Sequence, residues 1–169
     1  MQAKIISEKK MLLIGMNFYG DPFSNHSFWS EENEIGHLWK RFISFLDKNP
    51  ELNNRIKKNV FLEIFLTSEE SMSAGLFDVF VGILVDKLEY IPINCVAKQL
   101  PATEYAVFTL KGNQINSDWQ KKIYKQWLPE SDYELSFGYN IQYYDQRFKG
   151  INSIRESELD ILVPVRKKS

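Results

Sequence analysis

Acids and aromatic rings gather in the C-terminal third of the chain, in the stretch Tyr139 to Asp145 (YNIQYYD) and in Glu158 to Val165 (ELDILVPV). Both read as β-strands, and strand side chains alternate between faces. In the last strand Leu159, Ile161, Val163 and Val165 share one face, and Glu158, Asp160 and Leu162 the other. In the preceding strand Ile141 and Tyr143 share one face, and Asn140, Gln142 and Tyr144 the other. Pairing the more apolar face of each strand leaves Gln142, Tyr144, Glu158 and Asp160 together on the second face. Carboxylates beside tyrosines suit an organic cation, through charge and through attraction to the ring faces. A solvated sheet face accounts for Glu158 and Asp160 equally well, and alternation alone leaves both readings open.

Other chemistry finds little support. The chain has two histidines, His26 and His37, and one cysteine, Cys95. That inventory excludes an intramolecular disulfide and a multi-cysteine zinc site. Cys95 reads as a small, half-buried apolar residue and His37 as a helix-surface residue. No glycine cluster precedes a Lys-Ser or Lys-Thr pair, so there is no phosphate loop. No catalytic residue, metal site or cofactor is expected. A net charge of -1 gives no pull toward nucleic acid or anionic membranes. No apolar run approaches the ~20 residues of a membrane span. Met1 to Lys10 lacks the apolar stretch of a signal peptide, so a cytoplasmic protein is expected.

The elements that must position these residues follow from periodicity. With 169 residues, 44% of them hydrophobic, the chain reads as one domain, 1–169, with a sizeable core. Met11 to Asn17 is a strand. Phe18 to Trp29 is an aromatic-rich loop, more suited to folding over something than to open water. The spacing predicts a helix over 31–48, capped by Ser30, with Ile35, Leu38, Trp39, Phe42, Phe45 and Leu46 on its apolar side. Val60 to Thr67 (VFLEIFLT) is a strand with a single charge, and Phe77 to Asp86 is another. Gly82 within it marks a bulge or a close backbone approach. After Pro92 the pattern repeats: strands at Val96 to Leu100 and Tyr105 to Lys111, a helix over 117–128 that Pro129 closes, then the two strands above. Trp119 and Trp127, eight apart, lie on one face of that second helix. The expected fold is α+β: two pseudo-symmetric strand–helix–strand–strand units, 1–92 and 93–169, forming an antiparallel sheet with helices on one face.

Several phrases resemble the GyrI-like family, the effector-binding domains of some AraC-type and multidrug-sensing regulators. They are Ile35 to Phe42 (IGHLWKRF), Phe80 to Ile83 (FVGI), Leu100-Pro101-Ala102 with Tyr105 to Phe108 and Lys111-Gly112, Tyr124 with Trp127-Leu128-Pro129, Tyr144 to Phe148 (YDQRF), and Glu158 to Ile161 with Val163-Pro164-Val165. They come in family order across nearly the whole chain. The Leu-Trp-Lys-Arg-Phe helix is most similar to the stand-alone, integron-associated branch. The resemblance implies a groove between the two units, lined by aromatics and holding a buried carboxylate for cationic or amphipathic ligands. It brings Tyr105 into the candidate ligand site alongside Trp119, Trp127, Gln142, Tyr144, Glu158 and Asp160. Family members often carry glutamate where this chain has Gln142, which weakens the expected cation preference unless Glu158 or Asp160 compensates. No helix-turn-helix segment is present, so direct DNA binding does not carry over.

The function expected is therefore a stand-alone small-molecule-binding domain, a sensor or a sequestering protein, with a small organic ligand as its partner. Two other classes stay open: a hydrolase of small reactive compounds using a pocket carboxylate, and a protein-interaction module such as a gyrase modulator.

Overall fold

The computed structural model describes residues 1–22, 30–53 and 57–169. Phe23, His26, Phe28 and Trp29 of the aromatic loop lie outside them. The fold is α+β, a nine-stranded antiparallel sheet with its helices packed over one face. The strands are β1 (Lys4–Glu8), β2 (Met11–Gly20), β3 (Phe61–Leu66), β4 (Phe77–Val85), β5 (Val96–Leu100), β6 (Thr103–Lys111), β7 (Tyr133–Leu135), β8 (Tyr139–Tyr144) and β9 (Glu158–Lys167). Their order across the sheet is β1-β6-β9-β8-β3-β4-β2-β5, with β7 also pairing with β9. Read outward from the β3–β8 seam, the two halves mirror each other in connectivity. Each end is completed by a strand from the other half: β5 follows Pro92 yet pairs with β2, and β1 at the N-terminus pairs with β6.

Those exchanges curl the sheet. β5 and β6 lie six strand positions apart, ~29 Å in a flat sheet at ~4.8 Å per strand. Only Pro101 and Ala102 separate them in sequence, and such a connection spans ~11 Å at most. Lys9 and Lys10 impose the same demand on β1 and β2. The ends therefore meet on the side away from the helices. There they enclose a core of Leu13, Leu62, Ile64, Phe80, Leu100, Tyr105 and Ile141. The face left uncovered by helices is thus covered by the sheet itself.

The first long helix, α1 (Glu34–Lys48), starts later than the spacing predicts. Asn33 caps it, its Oδ1 accepting from the Gly36 N–H at 2.8 Å. The backbone of Ser30 and Glu31 packs on Gly36, where a Cβ would come within 2.6 Å of it, so those residues cover the first turn and cannot belong to it. Leu38, Phe42 and Leu46 are buried, whereas Trp39 is half-buried and turns toward the sheet's centre. A short helix, α2 (Glu69–Ala74), lies between β3 and β4. The second long helix, α3, covers 119–130, capped by Asp118, whose Oδ1 accepts from the Lys121 N–H at 3.2 Å. Its middle, Lys122–Trp127, is a π-helical turn. Pro129 sits inside the last turn and does not end the helix before it.

Gly82 marks a close approach, not a bulge: it pairs with Gly15 in an unbroken register. The Phe80 ring covers both, at 2.5 Å from a Cβ built on Gly82 and 2.6 Å from one on Gly15. Because Phe80 is fully buried, its ring has nowhere to retreat. Gly82→Ala is expected to destabilise the fold by roughly 1–3 kcal/mol through overpacking, read as a lower urea midpoint at unchanged slope. Phe42 is 0% exposed under α1, so Phe42→Ala is expected to cost ~3–5 kcal/mol. An unshifted midpoint for either variant would contradict the packing described.

Candidate functional site

Between α1 and α3, over the central strands β3 and β8, the helix-side face opens into a groove of about 1720 Å³. Its floor follows from register. Glu63 lies opposite Gln142, Phe61 opposite Tyr144 and Phe65 opposite Asn140, so these six side chains point into the space between the helices. The walls come from Ile35, Trp39 and Ile43 of α1 and from Trp119 and Tyr124 of α3. The two helices straddle the seam because each packs on its own half: α1 on β2 and β4, α3 on the apolar face of β6 and β9.

Glu63 is the chemical centre of the groove. It is 2% exposed, and none of the ion pairs among the described residues includes it. Its Oε2 accepts the indole N–H of Trp39 at 2.5 Å. Burial raises its pKa from an ordinary 4.5 to about 7, against the smaller stabilising effect of that hydrogen bond. Aromatic rings surround it. Trp39 meets Tyr144 edge-on at 5.1 Å and lies 5.9 Å from Phe61, and Tyr144 meets Phe148 edge-on at 4.9 Å. The Tyr144 hydroxyl donates to Gln142 Oε1 at 3.1 Å. Burial and then the charge of Glu63 hold that hydroxyl well above its usual pKa. Asn140 brings a second polar feature, a buried Oδ1 with no hydrogen-bond partner among the described residues.

Of the residues singled out in the sequence, Trp119, Gln142 and Tyr144 line the groove; the other four do not. Tyr105 is fully buried in the core on the opposite face, its hydroxyl 2.7 Å from that of Tyr139. Trp127 packs edge-on against Phe108 at 5.0 Å and stacks on Tyr133, beneath α3. Glu158 and Asp160 also belong to the opposite face. The register sets Gln142 against Ile161 and Tyr143 against Asp160, so the polar face of β8 lies with the apolar face of β9. Pairing like faces misplaces the acids, because α3 claims Leu159, Ile161, Val163 and Val165 for its own core. Asp160 is held by Arg147 and by the Thr109 hydroxyl, and Glu158 by Lys111. Burial pushes Asp145 upward, but hydrogen bonds from Arg147 hold its carboxyl below the usual range. These acids are already neutralised, whereas Glu63 is not.

Glu63 is the residue that the strand patterns did not single out. Its signal was the lone charge within the apolar run Val60 to Thr67. Among the described residues no group of three His, Cys, Asp or Glu side chains could hold a metal ion.

The raised pKa has a thermodynamic consequence. Between pH ~4.5 and ~7 the folded chain keeps the Glu63 proton that the unfolded chain has released. Stability then falls as pH rises through that window and stays lower above it. The shift corresponds to roughly 3 kcal/mol. Urea titrations at pH 5 and pH 8 should show this loss in wild type and a smaller one in Glu63→Gln. An equal loss in both proteins would place the titrating group elsewhere.

Comparison with known proteins places this geometry. Residues 4–165 match the family model described as integron-associated effector binding protein. Transcriptional regulator BrlR of Pseudomonas aeruginosa is 30% identical over 167 residues, and the match covers 98% of this chain and 56% of that protein. The chain thus spans about half the length of that curated relative. Among solved structures, SAV2435 bound to tetraphenylphosphonium superposes with a TM-score of 0.69 at 12% identity, covering 98% of this chain and 94% of that one. An integron cassette protein of Vibrio cholerae superposes at 0.61 with 16% identity, covering 97% and 95%. The fold is shared with these structures, and the family model covers residues 4–165: the chain belongs to the integron-associated effector-binding family.

Proposed function

We propose that this protein binds cationic or amphipathic organic compounds in the groove between α1 and α3, as a sensor or a sequestering protein. The observation that carries the reading is Glu63: a buried carboxylate, ringed by Trp39, Phe61 and Tyr144, with no positive partner among the described residues. A carboxylate in low dielectric is costly to ionise alone. An organic cation entering the groove supplies the missing charge, and the rings add cation–π attraction. The groove's volume, about 1720 Å³, exceeds that of the usual small-molecule pocket, ~300–1,000 Å³, which favours bulky ligands. The tetraphenylphosphonium complex of the similarly folded SAV2435 supports the same ligand class.

A second reading rests on the same group. A carboxyl with a pKa of about 7 is matched to general-base work near neutral pH, which suits hydrolysis of small reactive compounds. Chromatography of activated esters incubated with the protein separates the two readings. A hydrolase releases product at a rate that Glu63→Gln abolishes, and a binder returns its ligand intact.

The binding reading is tested by titrating tetraphenylphosphonium and the neutral triphenylphosphine oxide into wild type and Glu63→Gln. The substitution is expected to weaken the cation about tenfold or more, the order of one charged partner, and to leave the neutral compound within about twofold. Cation affinity of wild type should also fall about tenfold between pH 8 and pH 6, as Glu63 takes up its proton. Equal cation affinity in the two proteins, with no pH dependence, would remove Glu63 from the site.

A further inference from the structure

The groove floor offers more than a negative charge. Glu63 and Gln142 are 2% and 3% exposed and face each other directly across the β3–β8 seam. Directly opposed residues have Cβ atoms ~5 Å apart. Each has one polar atom engaged: Glu63 Oε2 accepts from Trp39, and Gln142 Oε1 accepts from the Tyr144 hydroxyl. That leaves Glu63 Oε1, an acceptor, and Gln142 Nε2, a donor. Neither has a hydrogen-bond partner among the described residues, and they do not bond to each other. Neither is enclosed by protein: the enclosed, unpartnered side-chain atoms among the described residues are Asp78 Oδ1 and Asn140 Oδ1. Both open atoms therefore face the groove that their residues line.

Resting on the cation reading above, we propose that the groove selects cations carrying a matched donor–acceptor edge. The preferred ligand is a protonated amine whose N–H reaches Glu63 Oε1, with an ether, carbonyl or ring-nitrogen acceptor placed to meet Gln142 Nε2. A donor-free cation such as a phosphonium or a quaternary ammonium neutralises Glu63 but leaves both polar atoms unmatched. Leaving a buried donor or acceptor unmatched is the larger part of hydrogen-bond selectivity. Gln142 thereby becomes a specificity-determining residue. A glutamate there would offer a second acceptor and a second charge, and would favour dications. The amide restricts the floor to one charge and adds a donor.

The test uses three probes on one naphthyl scaffold: an aminomethyl cation with a neighbouring methoxy oxygen, the same cation without the methoxy, and its trimethylammonium counterpart. Calorimetry of the full chain, wild type and Gln142→Met, reads the affinities. Wild type should prefer the methoxy amine over the plain amine by roughly tenfold, one hydrogen bond to a buried donor. It should bind the trimethylammonium probe more weakly than either. Gln142→Met should lose the methoxy preference, and its far-UV circular dichroism and urea midpoint report whether it folds. The wild-type ranking stands on its own if that variant does not fold. Equal affinity for all three probes in wild type overturns the proposal and leaves the cation reading standing. Failure to bind any of the three overturns the cation reading as well. A methoxy preference that survives in a folded Gln142→Met protein removes Gln142 from the selection.

Discussion

Two residues, Pro101 and Ala102, join strands near opposite ends of the sheet, and Lys9 and Lys10 do the same on the other side of the pseudo-symmetric arrangement. Connections this short cannot cross a flat sheet, so the sheet closes on itself and its inner face becomes core. Everything else depends on that closure. With one face sealed by strands, both long helices are confined to the other. Each packs on its own half of the sheet, and the seam between β3 and β8 is left open between them. The groove is what remains when two long helices cover the two halves of the sheet and leave its centre between them.

The seam places unusual chemistry at the bottom of this gap. A glutamate at 2% exposure would ordinarily be paired, because an isolated buried charge is costly. Here the Trp39 N–H offsets only part of the burial, and the balance leaves the carboxyl titrating near neutrality. The contrast with the acids around Arg147 is instructive. Asp145, Glu158 and Asp160 surround Arg147, and Lys111 and Thr109 complete their contacts. The presence of a cationic neighbour distinguishes that ion cluster from Glu63, which has none among the described residues.

Pseudo-symmetry also places Gln142. It stands directly opposite Glu63 across the β3–β8 seam, where Glu63 meets the Trp39 indole and Gln142 the Tyr144 hydroxyl. This chain has its buried carboxylate on the strand facing Gln142. Glu158 and Asp160, expected beside Gln142, lie on the other face of the sheet.

The helices and most strands were legible in the sequence because each rests on local periodicity: Leu38, Phe42 and Leu46 mark one side of α1 wherever α1 lies. Family membership was legible too, from phrases that survive without any contact map. Within β8 and β9 the division of side chains between faces was also right, since alternation is a property of one strand. Which face of β8 meets which face of β9 is a property of the pair, set by a register that a one-residue slip would invert. Only the packing of α3 on Leu159, Ile161 and Val163 decided it. β1 escaped notice because Lys4 to Glu8 shows no clean alternation and is held at the sheet edge by β6. Glu63 was visible as a lone charge in an apolar strand, but its role was not. A carboxylate's pKa depends on what surrounds it in space, and Trp39, Gln142 and Tyr144 reach it from distant points in the chain.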